Sequence, residues 1–228
     1  MTLDWDIEVF EDIPSTQDIC KTRAQEGGAE GFVAQALIQS AGKGRRQREW
    51  VSGEGNLTFS FILRPRCDLQ SIGQISILIG VALAKTIGVD ARLKWPNDVL
   101  LSDGKCAGIL IESELDGEGV NWLVVGVGVN TANAPDIGAV LNVERDQFLQ
   151  ALLVNIASSY QRWQDEGFEG IREEWLAHTY EKGTQLNVGA FESLDDFGNL
   201  IVREPQNQLK TISAGDVYLK DLDYAAGD

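Results

Sequence analysis

Along residues 56–65, NLTFSFILRP, the apolar Leu57, Phe59, Phe61 and Leu63 alternate with Asn56, Thr58 and Ser60. A period of two predicts a half-buried strand, which Pro65 ends. FVAQALIQS (32–40) is short, apolar and bounded by Gly31 and Gly42, as a buried strand would be. Ahead of it, Ser15-Thr16 can cap a helix over 17–26 that Gly27-Gly28 stops. From 72 to 88 apolar residues fall all round (Ile75, Ile77, Leu78, Ile79, Val81, Leu83, Ile87), the mark of a buried helix. Strands are predicted near 91–95, 98–101, 106–115 and 121–130, with a hairpin signalled by the Asp-Gly step in Ser102-Asp103-Gly104. Two amphipathic helices, 144–165 and 168–179, are separated by Gly167. After Gly183 the pattern changes to short strands punctuated by Gly189, Gly198 and Gly215. A main domain over 1–181 and a small β domain over 182–228 are therefore expected. Hairpin-like strand succession with segregated helices predicts an α+β fold with a mixed, mostly antiparallel sheet.

The chain has 228 residues, 43% of them hydrophobic, enough to bury a sizeable core. Its formal net charge of -16 opposes binding to DNA, RNA or an anionic membrane, whose fields would repel it. Against that background AGKGRRQREW, Ala41 to Trp50, stands out. Lys43, Arg45, Arg46 and Arg48 crowd a loop in which Gly42 and Gly44 let the backbone turn its N–H groups toward an anion. The loop lacks the spacing of a Walker A motif. Cys20, Cys67 and Cys106 are widely spaced and His178 is the only histidine, so neither a disulfide framework nor a protein-held metal site is supported. With no signal peptide or membrane-length apolar run read from the sequence, a cytoplasmic protein is expected.

In KWPNDV, Lys94 to Val99, Trp95-Pro96 forces an extended backbone and Asn97-Asp98 favours a turn. Lys94 is thereby pinned at a strand end, a candidate for neutralising a carboxylate or phosphate; a surface lysine fits the same residues. GVGVN, Gly126 to Asn130, is not a dinucleotide turn, because TANAPD after it does not open a helix. It reads as a strand whose glycines admit a close neighbour, with the Asn130 amide at its end. Gly108, early in AGILIESEL, lies similarly beside an apolar face.

Together these pieces resemble the biotin protein ligases. The matching elements are Ser15-Thr16, Gln39 ahead of the loop from Gly42 to Trp50, Asn56 to Ser60, Arg64-Pro65, KWPNDV, KCAGILIE and VVGVGVN, with AGDVYL in the tail. The resemblance implies a class II synthetase-like sheet with helices mainly on one face and a C-terminal SH3-like β domain. It implies ATP-dependent attachment of biotin to a lysine of a carboxylase's biotin carboxyl-carrier domain, through biotinyl-5'-AMP, with Mg²⁺ accompanying ATP. By the same implication Lys94 and Arg45 are catalytic, and Ser15, Thr16, Gln17, Gln39, Lys43, Gly44, Arg45, Lys94, Gly108 and Ile109 bind biotin. Lys43, Arg45, Arg48, Trp50, Asn97 and Asn130 fall to ATP. No nucleic-acid or membrane partner is expected, and homodimerisation through a sheet edge stays open.

Three departures stand out. Lys43 replaces a usual Arg, Gln47 replaces a usual Gly, and the tail is about a hairpin short. They leave open a non-catalytic biotin-binding homologue; a lipoate or octanoate ligase is the other alternative, disfavoured by the basic loop, which lipoate ligases lack in this form.

Overall fold

The computed structural model describes residues 3–102, 104–117, 119–135 and 137–220. Seven strands form the main sheet: β1 Asp6–Ile13, β2 Phe32–Gln39, β3 Leu57–Leu63, β4 Ala91–Lys94, β5 Asp98–Leu101, β6 Gly104–Asp116 and β7 Gly119–Val129. Their order is β1-β2-β3-β7-β6-β5-β4, with β1 and β2 parallel and the other neighbours antiparallel. The helices are α1 Thr16–Gln25, α2 Ile72–Ile87, α3 Arg145–Glu166 and α4 Glu169–Ala177. The mixed, mostly antiparallel sheet agrees with the sequence.

The two sheet faces are covered unequally. Val33, Phe61, Leu63, Leu123 and Val125 pack with α2, α3 and α4 in the large core, while Ala34, Ile62, Trp122 and Val124 pack with Cys20 and Ala24 of α1. Because β3 lies inside the sheet and under helices on both sides, all seven of its residues are buried, not the alternate ones. Its polar residues are thus buried as well: Thr58 is 3% exposed and Ser60 1%. Leu69–Ile87 has the length and apolarity of a membrane span, yet α2 is the central core helix, with Ile77 to Ala84 buried.

One element, β1, was invisible to the alternation pattern. It is an edge strand with no fully buried residue, and Glu8, Glu11 and Asp12 interrupt its apolar positions. Charges on an edge discourage pairing with other chains, and here they hide the strand. Of the predicted turn at Ser102-Asp103-Gly104, Asp103 lies outside the described residues; on either side of it Leu101 pairs with Gly104.

The C-terminal sheet has the order β11-β10-β9-β8, from β8 Gln185–Leu186, β9 Gly189–Leu194, β10 Leu200–Arg203 and β11 Leu209–Ile212. Leu219 bridges to Leu186, and Lys220 N–H donates to Gln185 O at 3.1 Å, so the tail adds a further rung beside β8. Phe191, Leu194, Leu200 and Val202 join the large core cluster, and Trp95 Nε1 donates to Gly198 O at 3.0 Å. The small sheet is therefore packed continuously against the turn that follows β4.

Phe61 is fully buried, edge-on to Trp5 at 5.4 Å and stacked near Phe59 at 5.9 Å. Phe61→Ala is expected to cost about 3–5 kcal/mol, read as a lowered urea midpoint with an unchanged m-value; a loss under about 1 kcal/mol would contradict this packing.

Candidate functional site

A single row across the sheet prepares the site. Thr58 on β3 faces Gly128 on β7, Gly128 faces Gly108 on β6, Gly108 faces Asp98 on β5, and Asp98 faces Lys94 on β4. Register partners point to the same side of a sheet, so two adjacent glycines leave a gap in the surface. A second row places Ser60 opposite Gly126. A Cβ at Gly126 would come 2.6 Å from Gln17 Oε1, and one at Gly128 would come 2.2 Å from the Trp50 ring.

Beside this glycine floor stands a buried polar cradle. Ser15, Thr16 and Gln17 are 2–4% exposed at the start of α1. Thr16 Oγ1 and Ser60 Oγ are 2.8 Å apart, and Thr16 N–H donates to Gln39 Oε1 at 2.9 Å. Ser60 Oγ donates to Gln17 Oε1 at 3.0 Å, and Gln17 Nε2 donates to Val124 O at 3.1 Å. Ser15 Oγ is buried with no hydrogen-bond partner. Buried polar groups cost stability when unpaired, so a neutral ligand offering both donors and acceptors fits here.

The other end is cationic. Arg45 Nη1 donates to Asn97 Oδ1 at 2.9 Å, while Asn97 Nδ2 donates to Ile109 O at 2.8 Å. Burial pushes the Arg45 guanidinium below its ordinary value, against the pull of Asp216 and Asp98, yet arginine stays charged. Lys105 Nζ lies 2.7 Å from Asp98 and 5.4 Å from the centre of the Trp50 ring. Lys43 pairs with Asp18, and Arg46 and Arg48 both reach Asp216 of the C-terminal segment, at 3.0 and 2.8 Å. The loop turns through Arg46 (φ 55) and Gln47 (φ 63), a left-handed pair without glycine.

The cavity between these ends is about 60 Å³. It brings together Ser15, Thr16, Gln17, Gln39, Lys43, Gly44, Arg45, Trp50, Asn97, Gly108 and Ile109, all expected from sequence. A neighbouring cavity of about 250 Å³ shares Arg45, Asn97 and Ile109 and opens toward Gly198, Asn199 and Ser213.

Three expected residues do not line either cavity. Lys94 stands apart: β4 lies two strands beyond Gly108, about 10 Å at ordinary strand spacing, and its ammonium pairs with Asp98 at 3.6 Å. Arg48 points outward to Asp216, its side chain 66% exposed. Asn130 directly follows β7; its Nδ2 donates to Lys105 O at 3.1 Å and its Oδ1 is buried and unpartnered. Lys105, Thr58 and Ser60, given no role from the sequence, also line the first cavity, as do Gly126 and Gly128 of the strand whose glycines were expected to admit a close neighbour. Lys105 opens KCAGILIE, so the motif was visible, but only the fold shows that this lysine reaches across Gly108.

Burial pushes the thiols of Cys20 and Cys106 up to about 12, which keeps them protonated and inert. Among the described residues no group of three or more His, Cys, Asp or Glu is placed to hold a metal ion.

A cavity neutral and hydrogen-bonding at its closed end and cationic at its mouth suits a ligand with a polar ring and an anionic tail, as in carboxylate-activating ligases. Residues 9–130 match the biotin/lipoate A/B protein ligase family, and residues 180–220 match the biotin protein ligase C-terminal domain. The chain belongs to the biotin/lipoate A/B protein ligase family. It is 39% identical over 216 residues to the biotin acetyl-CoA-carboxylase ligase of Paracoccus denitrificans, covering 80% of this chain and 88% of that protein. The bifunctional ligase/repressor BirA of Bacillus subtilis is 30% identical over 239 residues, with 92% and 73% covered. In fold, the chain superposes on the biotin protein ligase of Aquifex aeolicus, solved with biotin and ATP, with a TM-score of 0.79 at 23% identity, covering 94% of this chain and 98% of that one.

The positive φ at Gln47 falls where glycine would sit without strain. Gln47→Gly is expected to raise unfolding free energy by up to about 1 kcal/mol, measured by chemical denaturation; a clear destabilisation would contradict the strained turn.

Proposed function

We propose that this chain attaches biotin to a lysine of a carrier protein at the expense of ATP. The observation that carries the reading is the convergence, in one cavity, of the hydroxyl and amide cradle with the Lys43, Arg45 and Lys105 cations. Biotin's ureido ring, both donor and acceptor, satisfies Ser15, Thr16, Gln17 and Ser60. Its carboxylate then lies toward Arg45 and Lys105. In the first step a carboxylate oxygen bonds to the α-phosphorus of ATP and pyrophosphate leaves with the bonding electrons. In the second, the carrier lysine's amine bonds to the acyl carbon, AMP leaves, and the amine gives up a proton. The protein's part is to align the reacting groups and to stabilise charge on the phosphate oxygens.

Mg²⁺ accompanies ATP. The carboxylate near the mouth, Asp98, is paired with Lys105, so the ion would be held by the triphosphate and water and would supply charge neutralisation for the phosphates. The adjoining cavity gives the cationic mouth an open side through which the second substrate approaches. A cavity of about 60 Å³ holds roughly four waters, too little for a bicyclic ring. Trp50 therefore leaves the glycine floor when biotin enters, and its loop then covers the labile anhydride. The relatives' names support a carrier domain of acetyl-CoA carboxylase as the acceptor, and the need for ATP suits the cytoplasm.

The cradle disfavours lipoate. A dithiolane ring would leave the buried, unpartnered Ser15 Oγ without a hydrogen bond, at about 1–3 kcal/mol. The retained Arg45 and Lys105 disfavour a homologue without turnover.

Exchange of labelled pyrophosphate into ATP is expected with biotin and not with lipoate. Lys105→Ala is expected to lower the exchange kcat about 10²–10³-fold, and Ser60→Ala to weaken biotin binding about tenfold. Lipoate-driven exchange would select the sibling ligase; biotin binding without exchange would select the non-catalytic homologue.

A further inference from the structure

Lys94 lies outside both cavities, yet it is not a solvated surface lysine. Its side chain is 26% exposed and faces Asp98, itself 17% exposed. Asp98 stands between two ammonium groups: Oδ1 is 2.7 Å from Lys105 Nζ, and Oδ2 is 3.6 Å from Lys94 Nζ. The backbone holds the three in place. Lys94 and Asp98 are register partners on β4 and β5, Asp98 and Gly108 on β5 and β6, and Lys105 reaches its ammonium back over Gly108.

A carboxylate paired with Lys105 alone would fix the ammonium but also cancel its charge, leaving little attraction for an incoming anion. A second cation on the other carboxylate oxygen changes the sum: two ammonium groups and one carboxylate carry a net positive charge. An ammonium has three donors. With one directed to Asp98 and one side against the Trp50 ring, Lys105 keeps a donor for the cavity. Asp98 also acts on the field at Arg45, so its effective charge matters to Arg45 as well as to Lys105.

We infer that Lys94 is a positioning residue that acts on the reaction through Asp98: it offsets the carboxylate's charge, so that Asp98 anchors Lys105 without neutralising it toward the substrate's carboxylate and phosphates. This rests on the adenylation reading for its kinetic readout and on geometry alone for its binding readout.

The test is a double-mutant cycle on Lys94 and Asp98, read by biotin-dependent pyrophosphate exchange and by calorimetric binding of inorganic pyrophosphate. Lys94→Met is expected to lower the exchange kcat about tenfold, with the biotin KM changed less than twofold, and to weaken pyrophosphate binding severalfold; Lys94→Arg restores most of both. In an Asp98→Asn background, Lys94→Met is expected to have no further effect, because the charge it offsets is gone. A merely structural role would give losses that add and a lowered urea midpoint that Lys94→Arg does not restore. Additive losses, or no loss, overturn the inference whatever the exchange assay gives. A protein inactive in exchange that still shows the non-additive loss of pyrophosphate binding keeps the inference and removes the ligase reading.

Discussion

A gap in one cross-strand row organises this molecule's site. Where Gly128 and Gly108 face each other, the sheet has no side chains, and the Trp50 ring lies directly on the backbone. Every other feature is arranged around that opening: Thr58 and Ser60 at one side on β3, Asp98 and Lys105 at the other, α1 as a wall and the basic loop as a lid. Alanine at 128 would already put a carbon 2.2 Å from the indole. Beside the gap, β3 is buried on both faces between two apolar clusters.

Electrostatics inside the gap run opposite to the whole. A chain of net charge -16 gathers Lys43, Arg45 and Lys105 at one cavity mouth and holds nearby cations with carboxylates of its own. Asp18 takes Lys43, Asp98 takes Lys105, and Asp216 takes Arg46 and Arg48. The pairs made by Lys43, Arg46 and Arg48 are exposed, and such pairs contribute little to stability. What they do instead is tether the basic loop, through Lys43 to α1 and through Arg46 and Arg48 to the C-terminal segment. Asp216 also makes the C-terminal segment part of the lid's support.

Much of this was legible in the chain, for identifiable reasons. Buried helices and central strands carry periodicity, so α2, β2 and β7 lie where the apolar pattern puts them. The edge strand β1 did not, because parallel pairing at an edge demands little burial and its acidic residues break the alternation. The cradle was half legible. Ser15, Thr16, Gln17 and Gln39 came from the resemblance, while Ser60 and Thr58 read as solvent-facing residues, since no local pattern reveals that α1 covers their side of the sheet. The sequence pointed to Lys94 and gave Lys105 no role. Both flank the same turn-rich segment, and only the register through Asp98 and Gly108 shows which ammonium reaches the gap.

The account's central claim is that the polar cradle and the cationic mouth hold the two ends of one ligand, with Trp50 displaced to admit it. A crystal structure of the protein with biotin and a non-hydrolysable ATP analogue tests it most directly. The account predicts the ureido ring hydrogen-bonded to Thr16, Gln17 and Ser60, the carboxylate beside Arg45 and Lys105, and the Trp50 indole lifted off Gly128. Biotin bound elsewhere, or seated with Trp50 still on the glycine floor, would contradict it.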